Sequence, residues 1–234
     1  MTQPINRMYR LFKRTSVAAG LLAAALGMLA FAPPAAAADN GAPKWKVWTY
    51  NPSNRAFKGG VPASVSSGIA TFAFPATPDT ALLVTDHGSY KGTLLGDLTG
   101  KTISATVSDS GGPFHYFGEP SCGGTVGANV RLFFQTKSPA SFAETDYWWS
   151  NPVSLQLNGL TNPTPMSESL SNPGNWSDFF GHFGSDPIYA AAFQAAVKNV
   201  TSIGLSFGGG CFFENGVGAP TGGSFVLWSF SANP

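Results

Sequence analysis

The chain has 234 residues, of which 43% are hydrophobic, 13% aromatic and only 11% charged. An ordinary soluble domain carries about 25% charged residues. With 28 Gly and 18 Pro, this composition excludes a coiled coil, a Glu/Lys-rich helical bundle, an acidic disordered tail and a basic nucleic-acid binder, and it favours a β-rich domain with many turns.

The first 38 residues read as a leader. Arg7, Arg10, Lys13 and Arg14 precede an apolar run from Ser16 to Ala32, followed by two prolines and Ala35-Ala36-Ala37-Ala38-Asp39. A basic region, an apolar region and small residues at the end make a secretory signal peptide, with cleavage expected after Ala38 or, as the alternative, after Ala37. The alternative is a membrane anchor, but the run is short, Ala-rich and lacks a basic stop-transfer. Cleavage removes four of the 13 basic residues and none of the 12 acids, leaving nine against 12 and a charge near −3. A weakly acidic exported domain, residues 39–234, carries no electrostatic footprint for nucleic acid or an anionic membrane.

Cys122 and Cys211 are the two cysteines, and both fall in the exported part. An even count in an oxidising compartment predicts one disulfide. A loop of about 90 residues gives it roughly 4 kcal/mol by loop-closure entropy, less any strain.

The elements follow from periodicity. KWKVWTY, residues 44–50, reads as a short strand stopped by Asn51-Pro52. SGIATFAF (67–74) alternates, and ALLVT (81–85) is a short apolar run. Ile103, Ala105 and Val107 share one face of the next strand, with Thr102, Ser104 and Thr106 on the other, the pattern of a half-buried strand. NVRLFFQT (129–136) places Val130, Leu132 and Phe134 on one side. Tyr147-Trp148-Trp149, the break Asn151-Pro152 and VSLQLNGL follow. Residues 161–187 hold four prolines and read mostly as loop, with SESL (167–170) as an extended piece. Asp186-Pro187 is the expected start of one helix, IYAAAFQAAVKNV, with Phe193, Ala196 and Val197 on its buried face. Two strands, TSIGLSFGG (201–209) and GSFVLWSF (223–230), close the chain. Eight or nine strands and one short helix predict an all-β fold, a two-sheet antiparallel β-sandwich of jelly-roll type.

GDLTGKTISATVS, YWWSNPVSLQL, NWSDFFGHF, and FQAAVKNVTSIGLSFGGG running on to GSFVLWSF occur in that order. Over residues 92–231 this order resembles laminin-B-like and carbohydrate-binding jelly rolls of the galactose-binding-like type. The resemblance implies a sandwich in which a short helix precedes a late strand and a final strand. The long loop NPGNWSDFFGHFGSDP and the Cys122/Cys211 pair depart from it, and it transfers no sugar-binding residue.

Gly204-Leu205-Ser206-Phe207-Gly208 matches G-x-S-x-G, but the serine lies inside an alternating strand, no helix follows and no His comes after His182, so a packing role is expected. His87, His115 and His182 lack metal-ligand spacing. Glu119, Glu144, Asp146, Glu168, Asp178, Asp186 and Glu214 are the loop acids from which a carboxylate-dependent hydrolase would draw its pair. No cofactor is expected. A structural Ca²⁺ held by scattered loop oxygens is compatible with a jelly roll, although no motif indicates one. Asn175-Trp176-Ser177 and Asn199-Val200-Thr201 have the form of glycosylation acceptors, read as coincidence behind a leader of bacterial type.

The aromatics point to a ligand. Flat rings stack on the apolar faces of sugars while amides and carboxylates take the hydroxyls. Trp48, Tyr147, Trp149, Asn151, Trp176 and Asp178 are the candidate ligand-binding residues. The adjacent pair Trp148-Trp149 must point to opposite faces of a strand, one into the core and the other into a groove or solvent. Packing alone also explains every Trp. The sequence therefore leads to an exported protein, periplasmic or extracellular, that binds a polysaccharide or cell-surface glycan without catalysis. A structural or adhesive surface protein and a secreted hydrolase are the alternatives.

Overall fold

In the computed structural model of the chain, residues 44–51, 56–76, 79–86, 94–116, 127–137, 145–209 and 216–234 are described. Every described residue belongs to one compact unit within Ala36–Pro234. The leader, Cys122, Cys211, His87, Glu119, Glu144 and Glu214 lie outside the described residues.

Strands come in this order: β1 Lys46–Asn51, β2 Ala56–Pro62, β3 Ser64–Ser66, β4 Ile69–Ala73, β5 Asp79–Thr85, β6 Thr102–Gly111 and β7 His115–Tyr116. Next are β8 Asn129–Gln135, β9 Tyr147–Gln156, β10 Thr164–Ser169, β11 Trp176–Asp178, the helix α1 Ala190–Val197, β12 Ser202–Gly208, β13 Val217–Gly218 and β14 Gly223–Asn233. They form two antiparallel sheets. The larger runs β11-β9-β8-β12-β5-β1-β2, with β13 paired to β5 and β7 paired to β13. The smaller runs β10-β6-β14-β4-β3. The fold is an all-β, two-sheet antiparallel sandwich with one helix.

The alternating residues close the sandwich. Ile103, Ala105 and Val107 of β6 and Phe225 and Leu227 of β14 are buried in one core with Val130, Leu132 and Phe134 of β8 and Ile203, Leu205 and Phe207 of β12. Phe207 meets Phe225 edge-to-face at 5.0 Å and Phe74 at 5.5 Å. Each such fully buried side chain contributes roughly 1.5–3 kcal/mol, with a further gain from edge-to-face ring geometry. Phe193, Ala196 and Val197 seat α1 on this core, with Phe193 packed on Trp148 at 5.0 Å.

Three expectations change. The strand expected to stop at Asn151-Pro152 runs through it as β9. Its register on β8 shifts there, and Ser150 Oγ accepts from Leu132 N while donating to Val153 O. A bulge has no ladder position that Pro152 must serve. The proline-rich stretch 161–187 contains two strands, because Pro165 lies on β10, an edge strand, where the missing donor is tolerated. The helix is shorter than expected: Asp186 makes a turn before it, its carbonyl accepting from Tyr189 N and Ala190 N, and no side chain caps α1.

β5 and β12 are buried at every position, on both faces. A Cβ on Gly204 would run into the carbonyl oxygen of Leu83, so β12 and β5 approach as closely as they do only because that side chain is missing. Gly204→Ala is expected to destabilise the fold by about 2 kcal/mol or more, a fall in thermal midpoint of roughly 4–8 °C for a domain this size. An unchanged midpoint would show that the two strands can separate at no cost.

Candidate functional site

The larger sheet carries a second hydrophobic cluster on the face turned away from the sandwich core. It consists of Tyr50, Ala81, Leu82, Val84, Phe133, Tyr147 and Trp149, with Trp48 and Phe179 packed against it. Tyr147 lies 4.6 Å from Phe133 and 5.1 Å from Trp149 between ring centroids. The indole of Trp48 lies across Gly59 of β2, where any Cβ would collide with it. Trp48 Nε1 and Ser206 Oγ are buried and find no hydrogen-bond partner among the described residues.

The structure thus brings three of the candidate binding residues together, Trp48, Tyr147 and Trp149, but it does not leave them open. Tyr147 and Trp149 are fully buried and Trp48 is half-buried. Trp148 and Trp149 do point to opposite faces, in two different clusters, yet both are buried, so neither presents a ring to solvent. Trp176 is inside the main core, 5.3 Å from Phe134, with its indole N–H donated to Ser169 O at 2.9 Å. Ser206 of the G-x-S-x-G sequence is an interior residue of β12.

Of the remaining two candidates, Asp178 ends β11 at the corner that leads to α1, whereas Asn151 lies on β9 and touches β11 through Ser177. Asp178 closes a tight turn. Gly181 N donates to its carbonyl at 3.0 Å, Asp178 N donates to His182 O at 2.9 Å, and Gly181 takes φ +85°, a conformation glycine adopts without strain. The fully buried carboxylate organises this turn. Oδ1 accepts from Phe180 N and His182 N, both at 2.9 Å, and Oδ2 pairs with His182 Nδ1 at 3.1 Å. An Asp at a turn start satisfying the backbone two residues on is a local preference of that side chain. The imidazole is further held by stacking on Tyr189, with centroids 4.1 Å apart and planes 9° from parallel, and its Nε2 faces Tyr189 Oη at 3.3 Å. Asn151 Nδ2 donates to Ser177 Oγ at 3.3 Å.

This turn connects the two places. Phe179 packs on the buried outer cluster, while Phe180 beside it is 61% exposed, with the two rings 5.2 Å apart. Phe180 lies 6.3 Å from His182, and Ile188, at the far end of the loop, is 84% exposed. The corner therefore presents Phe180, the edge of the His182–Tyr189 stack and Ile188 to solvent on a frame fixed by a buried carboxylate. Phe180, His182 and Tyr189 are not among the sequence candidates. The only trace of them is the spacing of Asp178 four residues before His182. Compared with protein-family models and with curated proteins, the chain matches none.

Of the acids expected in loops, Glu168 lies on β10 and Asp178 on β11, and each described one is held locally. Asp146 pairs with Lys137 and accepts from Thr136 Oγ1. Glu168 accepts from Ser169 N and Asn175 Nδ2, and Asp186 from Phe183 N. Among the described residues no group of three His, Cys, Asp or Glu is placed to hold a metal ion, and no helix is long and apolar enough to cross a membrane.

Two carboxyls on the strands are displaced from the ordinary range. Burial raises Asp109, against the pull of the Asn158 and Leu160 backbone hydrogen bonds. Burial alone pushes Asp79, at the start of β5, up to about 6. The folded chain therefore keeps a proton on Asp79 that the unfolded chain has released, from just above the usual carboxylate value of 3.8 up to about 6. This group favours the fold below that window and opposes it as pH rises through 6. Asp79→Asn is expected to raise the thermal midpoint at pH 7.5 and to leave it nearly unchanged at pH 4. A midpoint difference equal at both pH values would contradict the burial of this carboxyl.

Proposed function

We propose that this chain is an exported, non-catalytic glycan-binding protein whose ligand docks at the corner between β11 and α1. The observation that carries this reading is an exposed aromatic ring, Phe180, beside a stacked His182–Tyr189 pair on a turn that the buried Asp178 carboxylate locks. Pre-set rings lose little freedom on binding, and they offer a pyranose an apolar face with polar atoms at its rim. The basic-then-apolar leader supports export.

A Cys122–Cys211 disulfide fits the same compartment. The described ends of the two cysteine-bearing segments adjoin. A Cβ on Gly209 would lie 2.7 Å from Gly127 O and 3.0 Å from the Tyr116 ring, and Val217 pairs with Tyr116.

A second reading, assembly as a structural surface protein, is favoured by one feature. β2 and β3 are the edges of the two sheets and are adjacent in sequence, with Val61 63% and Val65 39% exposed. Open edges are where strands of another copy add, and Lys58 is the one charged residue on these two strands.

Titration of the full-length chain with neutral oligosaccharides separates these readings. Saturable binding is expected, weakened about tenfold, or ~1.4 kcal/mol, by Phe180→Ala with no change in thermal midpoint. Trp149→Ala is expected to act on the fold instead, at about 3–5 kcal/mol. Absence of saturable binding, or undiminished binding by Phe180→Ala, would remove the glycan reading of this corner.

A further inference from the structure

The outer face of the five-stranded sheet carries no charge. Its two acids, Asp109 and Glu168, pair across the sheet with Phe225 and Ile103 and so turn inward. No outward position on its described strands is Lys, Arg, Asp or Glu. What points outward is mainly hydroxyl, with Pro165, Val226, Ile69 and Ala73 as apolar positions among them. Ser167, Ser104 and Ser231 align across β10, β6 and β14, with Thr106 and Ser229 opposite one another in the next row. Strand spacing sets such groups about 4.8 Å apart across the sheet and about 7 Å apart along it.

An outward antiparallel face must be polar, but polarity alone does not require hydroxyls. Solvent-facing positions ordinarily mix both signs of charge. Desolvating a charge against a neutral partner is costly, whereas a hydroxyl both donates and accepts and is re-satisfied by another hydroxyl. A charge-free hydroxyl grid is therefore matched to a neutral, hydroxyl-bearing partner. It lacks the cations that an anionic glycan, a nucleic acid or an acidic membrane needs.

One large ring stands on this grid. The register of β14 on β6 shifts between Leu227 and Ser229, which makes Trp228 the extra residue of a bulge. It is 41% exposed, and its indole N–H is donated to Ser108 Oγ on the neighbouring strand at 2.9 Å. The ring is thus tethered across two strands with part of its surface open to solvent.

We propose that this face binds the flat surface of an insoluble, neutral polysaccharide, with Trp228 stacked on a sugar ring and the hydroxyl rows exchanging hydrogen bonds with adjacent polymer chains. This surface is separate from the corner that carries Phe180, and the proposal goes beyond that site. The corner stands or falls with soluble oligosaccharides, and this face with the insoluble polymer.

The test is depletion of the full-length chain from solution by microcrystalline cellulose and by chitin, from low salt to about 1 M. Adsorption is expected to be insensitive to salt, because no ion pair contributes. Trp228→Ala and, separately, the double variant Thr106→Glu/Ser231→Glu are expected to weaken it about tenfold. Ala191→Glu/Gln194→Glu on the exposed side of α1 adds the same charge and is expected to leave adsorption intact. Circular dichroism and the thermal midpoint verify that each variant folds, and Trp228→Ala keeps the test valid if the double variant does not. No adsorption to either polymer, equal adsorption by the face variants, or loss of adsorption in high salt would overturn the proposal. So would adsorption to ice alone, or face-dependent dimerisation with no polymer binding.

Discussion

The larger sheet must be buried on both of its faces, and the rest of the molecule follows from how β12 meets that demand. Its inward residues, Ile203, Leu205 and Phe207, are large, and its outward residues, Ser202, Gly204 and Ser206, are small. On the outer face Gly204 stands between Phe133 of β8 and Val84 of β5, a large-small-large row. The small central position lets the backbones of β12 and β5 come together and leaves room for the flanking aromatics. Tyr147, Trp149 and Trp48 then complete an apolar layer over strands that a simple two-layer sandwich would leave open. The cost is polar: Ser206 Oγ and Trp48 Nε1 find no hydrogen-bond partner among the described residues.

That layer divides the aromatic residues by role. Rings that face the core or this outer cluster build the framework. The rings left to solvent are few and are each positioned by a hydrogen bond or a stack. Phe180 rides on a turn whose amides bond to Asp178, the His182 ring is pinned between Asp178 and Tyr189, and Trp228 is held by Ser108. Recognition by stacking depends on that division, because a flat partner needs an open ring that is already in place.

Much of the fold was legible in the sequence. Strict alternation at Ile103–Val107 and Val130–Phe134, and the i, i+3, i+4 triplet Phe193-Ala196-Val197, each specify one buried face, and each is realised. Period two also separated Trp148 from Trp149. It does not reveal whether the outward face is solvated, and for that reason Trp149 and Trp176 read as ligand candidates although both are buried. β10 was legible only in its second half, and β11 not at all, because proline is a stop signal along the chain but is harmless at a sheet edge, and β9 was cut short because a bulge absorbed Pro152. The corner around Asp178 was only half visible. Its acid stood out, whereas Phe180 and Tyr189 gain their meaning from a turn that no periodicity encodes. Trp228 looked like one more strand residue, since its exposure comes from a one-residue register shift.

The central claim is that open, pre-positioned rings and not the buried tryptophans make contact with ligand. The most direct measurement is the amide NMR spectrum of the full-length chain titrated with a neutral oligosaccharide. The account predicts saturable shifts confined to residues 177–190, with the amides of Tyr147–Trp149 and of β12 unmoved. Shifts centred on β1, β8 and β9 would place the ligand on the apolar outer layer and contradict it, as would a spectrum that does not respond at all.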